Sequence, residues 1–209
     1  MLFYDCSTAP SPRRARMFIA EKGLKIESRE ISLAEKEQLS PAFLAVNPRA
    51  TVPVLITRSG ATLTENLAIA TYLEAVSPNP PLLGETADEK AQVMQWNALV
   101  EQQGGLPIAD VLRNSNKHMR GRALTGPVNF EQIPELAERG RLRVGLFFDL
   151  LEQRLSQSAY LAGERLTMAD ITGFVFVDFA RVIKASIPDT SPATRAWFDA
   201  IKAHPSASL

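Results

Sequence analysis

The stretch SPNPPLLGET, Ser77 to Thr86, separates two kinds of sequence. Before it, short runs with the two-residue alternation of strands interleave with short helical runs, whereas nothing after it alternates in that way. LFYD reads as a strand, Pro12 to Lys22 as a helix stopped by Gly23, KIESREI as an alternating strand and SPAFLAV as a short helix. VPVLIT and ATLT read as strands joined through a Ser59-Gly60 turn, with a helix from Glu65 behind them. The order is β-α-β-α-β-β-α. Beyond Thr86 the periodicity is helical throughout, in runs at 87–103, 106–119, 131–155, 168–185 and 192–204. SPNPPLLGET is proline-rich and has no amphipathic period, so it reads as a linker. The expected organisation is an α/β domain over 1–76, a linker over 77–86 and an all-α domain over 87–209.

Hydrophobic residues make up 45% of the 209 positions, enough to fill real cores in both parts. Lysine and arginine total 23 and aspartate and glutamate 23, so no overall field draws the chain to nucleic acid or to an anionic membrane. A small molecule or another protein is the expected partner. The single cysteine, Cys6, excludes an intrachain disulfide framework, and His118 and His204 stand away from any spacing that binds metal. No metal is expected. MLFYDCSTAP has no basic region leading into a long apolar one, and no run approaches membrane-spanning length, so a cytoplasmic protein is expected.

In ATVPVLI, Pro53 opens a strand, where its missing N–H costs no ladder bond, and it is a candidate for the cis isomer. In LTMADITGFVF, Thr167 and Asp170 have capping-box spacing at the start of the most apolar helix in the chain. Together with two further motifs these carry a resemblance. SPRRARMFIAEKGL is similar to the first helix of the soluble glutathione transferases, NPRATVPVL to their Asn-Pro...Val-Pro strand, LTENLAIATYLE to their Glu-Ser-x-Ala-Ile helix and LAGERLTMADI to their C-terminal capping box. Four weak matches in chain order form one specific pattern. The resemblance implies a thioredoxin-like domain followed by an α-helical domain, usually in a homodimer. It also implies that glutathione lies on the first domain, and that a pocket for a small electrophilic second substrate is lined by helices after the linker. Leu106, Val111, Arg113 and His118 are the expected lining.

Glutathione has two carboxylates, an α-ammonium and a thiol, so a receptor needs an acid, anion donors and backbone pairing for an extended peptide. Glu65 is expected to take the ammonium, and Asn66 with the free N–H groups of its helix a carboxylate. The structural alternative has Thr64 as a helix cap and Glu65 as a complement to the dipole. Val52, before Pro53, is expected to pair with the cysteinyl backbone, and Thr51 stands where the family often has a longer Gln or Lys. Arg49 and Lys36 either replace that charge or are solvated surface. The family pattern places Ala9 at the thiol-activating position, and Ala donates no hydrogen bond. Ser11 and Thr8 are therefore the expected activating hydroxyls, with Ser7 nearby. The alternative for Ser11 is an N-cap ahead of Pro12. Cys6 reads as buried packing, whereas a reactive cysteine there would point to mixed-disulfide chemistry. The leading reading is a glutathione transferase-like enzyme that stabilises the glutathione thiolate. A glutathione-dependent reductase or isomerase and a non-catalytic protein-binding module are the alternatives.

Overall fold

Short alternating strands bury only one residue in two on each face, so they require neighbours, and four of them assemble here. β1 (Leu2–Asp5), β2 (Glu27–Glu30), β3 (Val54–Ile56) and β4 (Thr62–Leu63) form one sheet in the order β2-β1-β3-β4. β1 runs parallel to β2 and antiparallel to β3, and β3 is antiparallel to β4. Leu2 faces Ile56 and Tyr4 faces Val54, so those four share a side of the sheet. They pack there with Ile31 and with Phe43 of α2 (Pro41–Leu44), whose ring meets Tyr4 edge-on at 5.8 Å. Ser40 caps α2 by accepting from Phe43 N–H at 3.2 Å. α1 (Pro10–Glu21) and α3 (Asn66–Val76) pack against each other, and their Met17, Phe18, Ile69 and Leu73 are fully buried. β2 departs from the expected half-buried alternation. It is an edge strand, and Glu27, Ser28, Arg29 and Glu30 are all exposed, a charged edge that discourages pairing with another chain.

The computed structural model describes residues 1–209 as two units, one of residues 1–80 with 124–129 and 209, the other of residues 81–123 and 130–208. The proline-rich stretch has fixed contacts in both. Lys22, its side chain fully buried, pairs with Glu74 at 2.5 Å and donates to the carbonyls of Pro78, at 3.2 Å, and Pro80. Leu82 and Leu83 are core residues of the second unit, where Leu82 C=O accepts from Met168 N–H at 2.9 Å. Val52-Pro53 is cis, and so is Asn79-Pro80.

The second unit contains no strand, only helices and isolated bridges. α4 (Ala87–Val100) and α5 (Leu106–Ser115) are joined without a break by one π turn, Glu101–Gly105, where the sequence suggested two separate helices. Gly104 lies against the Phe147 ring so closely that an added Cβ would sit 2.6 Å from it, and Gly105 meets Phe176 in the same way. The glycines mark close approach, not a chain break. α6 (Pro134–Leu155), α7 (Met168–Phe179) and α8 (Pro192–Lys202) complete the unit. α7 is buried over nearly its whole length, as its composition requires. At its start Asp170 Oδ2 accepts from Thr167 N–H at 3.0 Å and from the Thr167 hydroxyl at 2.8 Å. The other oxygen of Asp170 accepts from Leu161 N–H at 2.8 Å and Trp197 Nε1 at 3.0 Å. Burial pushes this carboxyl above its usual range, and these hydrogen bonds oppose the rise.

Candidate functional site: two helix starts joined by Ser11 and Asn66

The loop from β1 to α1 is tied by one arginine. Arg16 donates to Asp5 Oδ1 at 2.5 Å, to Cys6 C=O at 3.1 Å and to Ser7 C=O at 3.1 Å, while Cys6 N–H donates to the same Asp5 oxygen at 2.7 Å. Burial raises the Asp5 carboxyl above its ordinary value, and the Arg16 charge works against that rise. Ser7 is held outward, since its N–H and hydroxyl both donate to Glu30 Oε1, at 2.8 and 2.9 Å. Cys6 is buried at 2% exposure, with its sulfur 3.5 Å from the Thr8 hydroxyl. Thr8 is thus occupied with Cys6, and Cys6 is packing.

α1 starts at Pro10, two residues earlier than expected, with Ala9 as an N-cap that makes no side-chain bond. Ser11 is therefore not the cap; it lies in the first turn. Its Oγ accepts from Asn66 Nδ2 at 2.9 Å and from Arg14 Nη2 at 3.3 Å. The N-terminal turns of α1 and α3 thus meet through one hydrogen bond, bringing together the positive ends of two helix dipoles. Asn66 is 5% exposed, and its Oδ1 is buried without a partner.

α3 has no side-chain cap from Thr64 or any other residue. Glu65 is its N-cap and its carbonyl accepts the first intrahelical bond, from Ile69 N–H at 2.9 Å. The helix thus keeps uncapped N–H groups for an anion. The Glu65 carboxylate is exposed and lies 3.5 Å from Arg49 Nη1, also exposed, so Arg49 stands beside the acid. Such an exposed pair is weak and yields to a competing cation. Lys36 is exposed, with its backbone in the left-handed region at φ 58°.

The segment before the cis proline is built by Asn47, which the sequence reading passed over. Asn47 is 1% exposed; its Nδ2 donates to Thr51 C=O at 2.8 Å and to Thr51 Oγ1 at 3.0 Å, and its Oδ1 accepts from Arg49 N–H at 3.0 Å. The Asn-Pro pair at a turn was the available signal. Thr51 is thereby tied to Asn47, with its hydroxyl as an acceptor. β3 begins only at Val54, which leaves the Val52 backbone outside the ladder, where a peptide could pair with it. In the second unit, Val111 is 1% exposed and Leu106 57%, because five positions on a helix turn a side chain to a different face. Arg113 donates to Arg122 C=O at 2.9 Å, and His118 is exposed in a short 3-10 turn. These four do not form one lining.

The geometry, a mixed sheet with a cis-proline strand entry and an acid at the start of α3, defines a class. Residues 8–76 match the model for the glutathione S-transferase N-terminal domain and residues 118–205 that for the glutathione S-transferase C-terminal domain. The chain belongs to the glutathione S-transferase family, and its fold is the thioredoxin-like unit followed by an all-helical one. Within that family it is similar to Glutathione S-transferase 2 of Saccharomyces cerevisiae, at 32% identity over 99% of this chain and 87% of the relative. The crystal structure of Gtt2 from Saccharomyces cerevisiae superposes with a TM-score of 0.90 at 30% identity, covering 100% of this chain and 99% of that one. Disulfide-bond oxidoreductase YfcG of Escherichia coli is 26% identical over 96% of this chain and 91% of its own length. No helix is long and apolar enough to cross a membrane.

Proposed function

We propose that the chain binds glutathione on its first unit and stabilises the thiolate for attack on a small electrophile. The observation that carries this reading is the Ser11–Asn66 bond, which joins two helix starts and leaves a buried acceptor, Asn66 Oδ1, in need of a donor. In this reading Glu65 takes the ammonium of glutathione, the uncapped N–H groups of α3 take the adjacent carboxylate, and Val52, ahead of Pro53, pairs with the cysteinyl backbone. Thr51 borders that backbone. Lowering a thiol pKa by ~2 units requires only ~2.7 kcal/mol of preference for the thiolate, within reach of one hydroxyl and a helix start. Ser11 ranks first as that hydroxyl and Thr8 second, because Thr8 is engaged with Cys6.

The similarity to a disulfide-bond oxidoreductase favours a second reading on the same site. There the bound thiolate attacks a disulfide, a new S–S bond forms as the old one breaks, and one substrate sulfur leaves as thiolate. A second glutathione then displaces the remaining substrate sulfur and leaves as glutathione disulfide. With Cys6 buried, every sulfur in that sequence belongs to a ligand. Calorimetric titration with glutathione tests the shared premise, and absence of saturable binding refutes both readings. Loss of glutathione with conjugate formation on a panel of aryl halides and enones supports the first reading. Release of thiol from a small disulfide, with no conjugate formed, replaces it by the second.

A further inference from the structure

We infer that the second unit holds a site for a small organic anion, a carboxylate on an apolar body, in a cavity framed by α5, α6 and the turn after α7. The cavity measures about 290 Å³, near the lower end of the size range of small-molecule sites. Its apolar walls are Val111 and Leu112 of α5 with Val182 and Ile183 of the 3-10 turn Ala180–Ile183. Its charged groups are Arg141 of α6 and Lys184, which follows that turn. Of the four residues expected to line a second-substrate pocket, only Val111 borders it. Ser115 borders it too, and at about 100° per residue Ser115 projects from the side of α5 opposite Leu106, so this is a separate place.

Charge selects the ligand. Arg141 and Lys184 are the only ionisable side chains on the lining, and neither makes an ion pair or a side-chain hydrogen bond. Cations near a helix end often serve its carbonyls, but other donors meet them here. Leu112 C=O accepts from Asn116 N–H at 3.0 Å, and the carbonyls of Arg113 and Asn116 accept from Gln132 Nε2, each at 2.7 Å. Ser115 gives its proton to Val111 C=O at 2.7 Å, and Asn116 Oδ1 accepts from His118 N–H at 3.0 Å, which leaves the Asn116 amide N–H groups as further donors. The Ser115 and Asn116 oxygens keep lone pairs but carry no charge, so the two cations decide the sign of the site. No carboxylate lines the cavity to repel an anion, and a guanidinium matches a carboxylate with two parallel N–H bonds. Val182 is 41% exposed, an apolar wall that a ring or alkyl chain would cover. An inorganic anion gains nothing from that wall, whereas an aryl or alkyl carboxylate uses both parts of the lining.

The test titrates 2-naphthoate into the whole chain by calorimetry, with 2-naphthamide as the uncharged analogue and the thermal midpoint read beside it. Naphthoate should bind saturably with a Kd on the order of 0.1–1 mM, the scale its small size sets, and should raise the thermal midpoint. Arg141→Gln and Lys184→Asn should each weaken it about 3- to 10-fold, without lowering the midpoint of the free protein, because neither side chain has a partner to lose. Asparagine suits position 184, where φ is 60°. The amide should bind at least about five-fold more weakly than the acid. Nuclear Overhauser contacts from the naphthyl protons to the methyls of Val111, Val182 and Ile183 should place the ligand. No saturation by about 10 mM, an affinity that neither substitution changes, or equal affinity of acid and amide overturns the inference. Contacts only to methyls outside this lining overturn it as well.

Discussion

Asp170→Ala should be among the most damaging single changes in the second unit. The fully buried carboxylate accepts from Thr167 N–H, the Thr167 hydroxyl, Leu161 N–H and Trp197 Nε1. On truncation the hydroxyl can turn to another acceptor, but the three N–H groups keep their directions. A buried donor without a partner costs about 1–3 kcal/mol, and relaxation and water entry recover part of it, which leaves ~3–5 kcal/mol. With a urea m-value of ~2 kcal/mol/M, the denaturation midpoint falls by roughly 2 M. Asp170→Asn separates acceptor geometry from size: one side of the amide becomes an NH2 facing two donors, so its cost should approach that of alanine. Urea titration followed by tryptophan fluorescence suits the question, because Trp197 is itself a partner of Asp170. A loss below about 1 kcal/mol for both variants would mean that the four bonds do not hold the start of α7.

Glu65→Ala should weaken glutathione binding about 10- to 100-fold, the ~1.5–3 kcal/mol of a charge-assisted hydrogen bond, with the thermal midpoint unmoved because the side chain is exposed; calorimetry reads the first and scanning fluorimetry the second. Thr8→Val should leave the bound-thiolate midpoint where it is, since that hydroxyl sits against Cys6, whereas Ala9→Ser should lower it; thiolate absorbance against pH checks both. Glu152 is pushed up by burial, but Thr194 N–H, the Thr194 hydroxyl and Ala193 N–H outweigh this and hold it below its usual value. A depressed folded-state value contributes stability above the unfolded value and loses it as pH falls through the folded one. Glu152→Gln should therefore lower the thermal midpoint near neutrality, with the gap to the native chain closing in acid, as a pH series of melts would show.

Features carried by a local pattern were readable in the sequence. Period-two runs announced the strands, and Thr167 with Asp170 announced the α7 cap, because both signals sit within a few residues. The other two partners of that cap, Leu161 and Trp197, arrive from distant segments and leave no local mark. Ser11 misled for a physical reason: Ser-Pro is a capping signature, yet Pro10 also fits a first helical position, and the true cap, Ala9, has no polar side chain to announce it. The Gly104-Gly105 pair looked like a break, when its cause is two phenyl rings brought there by α6 and α7. Glu65 and Asn66 stood out in the sequence through their place at a helix start, where the structure also has them. The bond from Asn66 to Ser11 spans 55 positions, and only folding reveals it.

The chain's one cysteine, lying 2% exposed at the end of β1, makes the protein its own opening gauge. A maleimide cannot reach that sulfur until the chain around it opens, so adduct mass against time follows openings that uncover the end of β1 and the loop ahead of α1. The Arg16 clasp on Asp5, Cys6 and Ser7 sets how rare those excursions are. Since the same loop leads into Ser11, alkylation rates with and without glutathione would register any tightening of the first turn of α1 in a molecule that carries no label and no substitution.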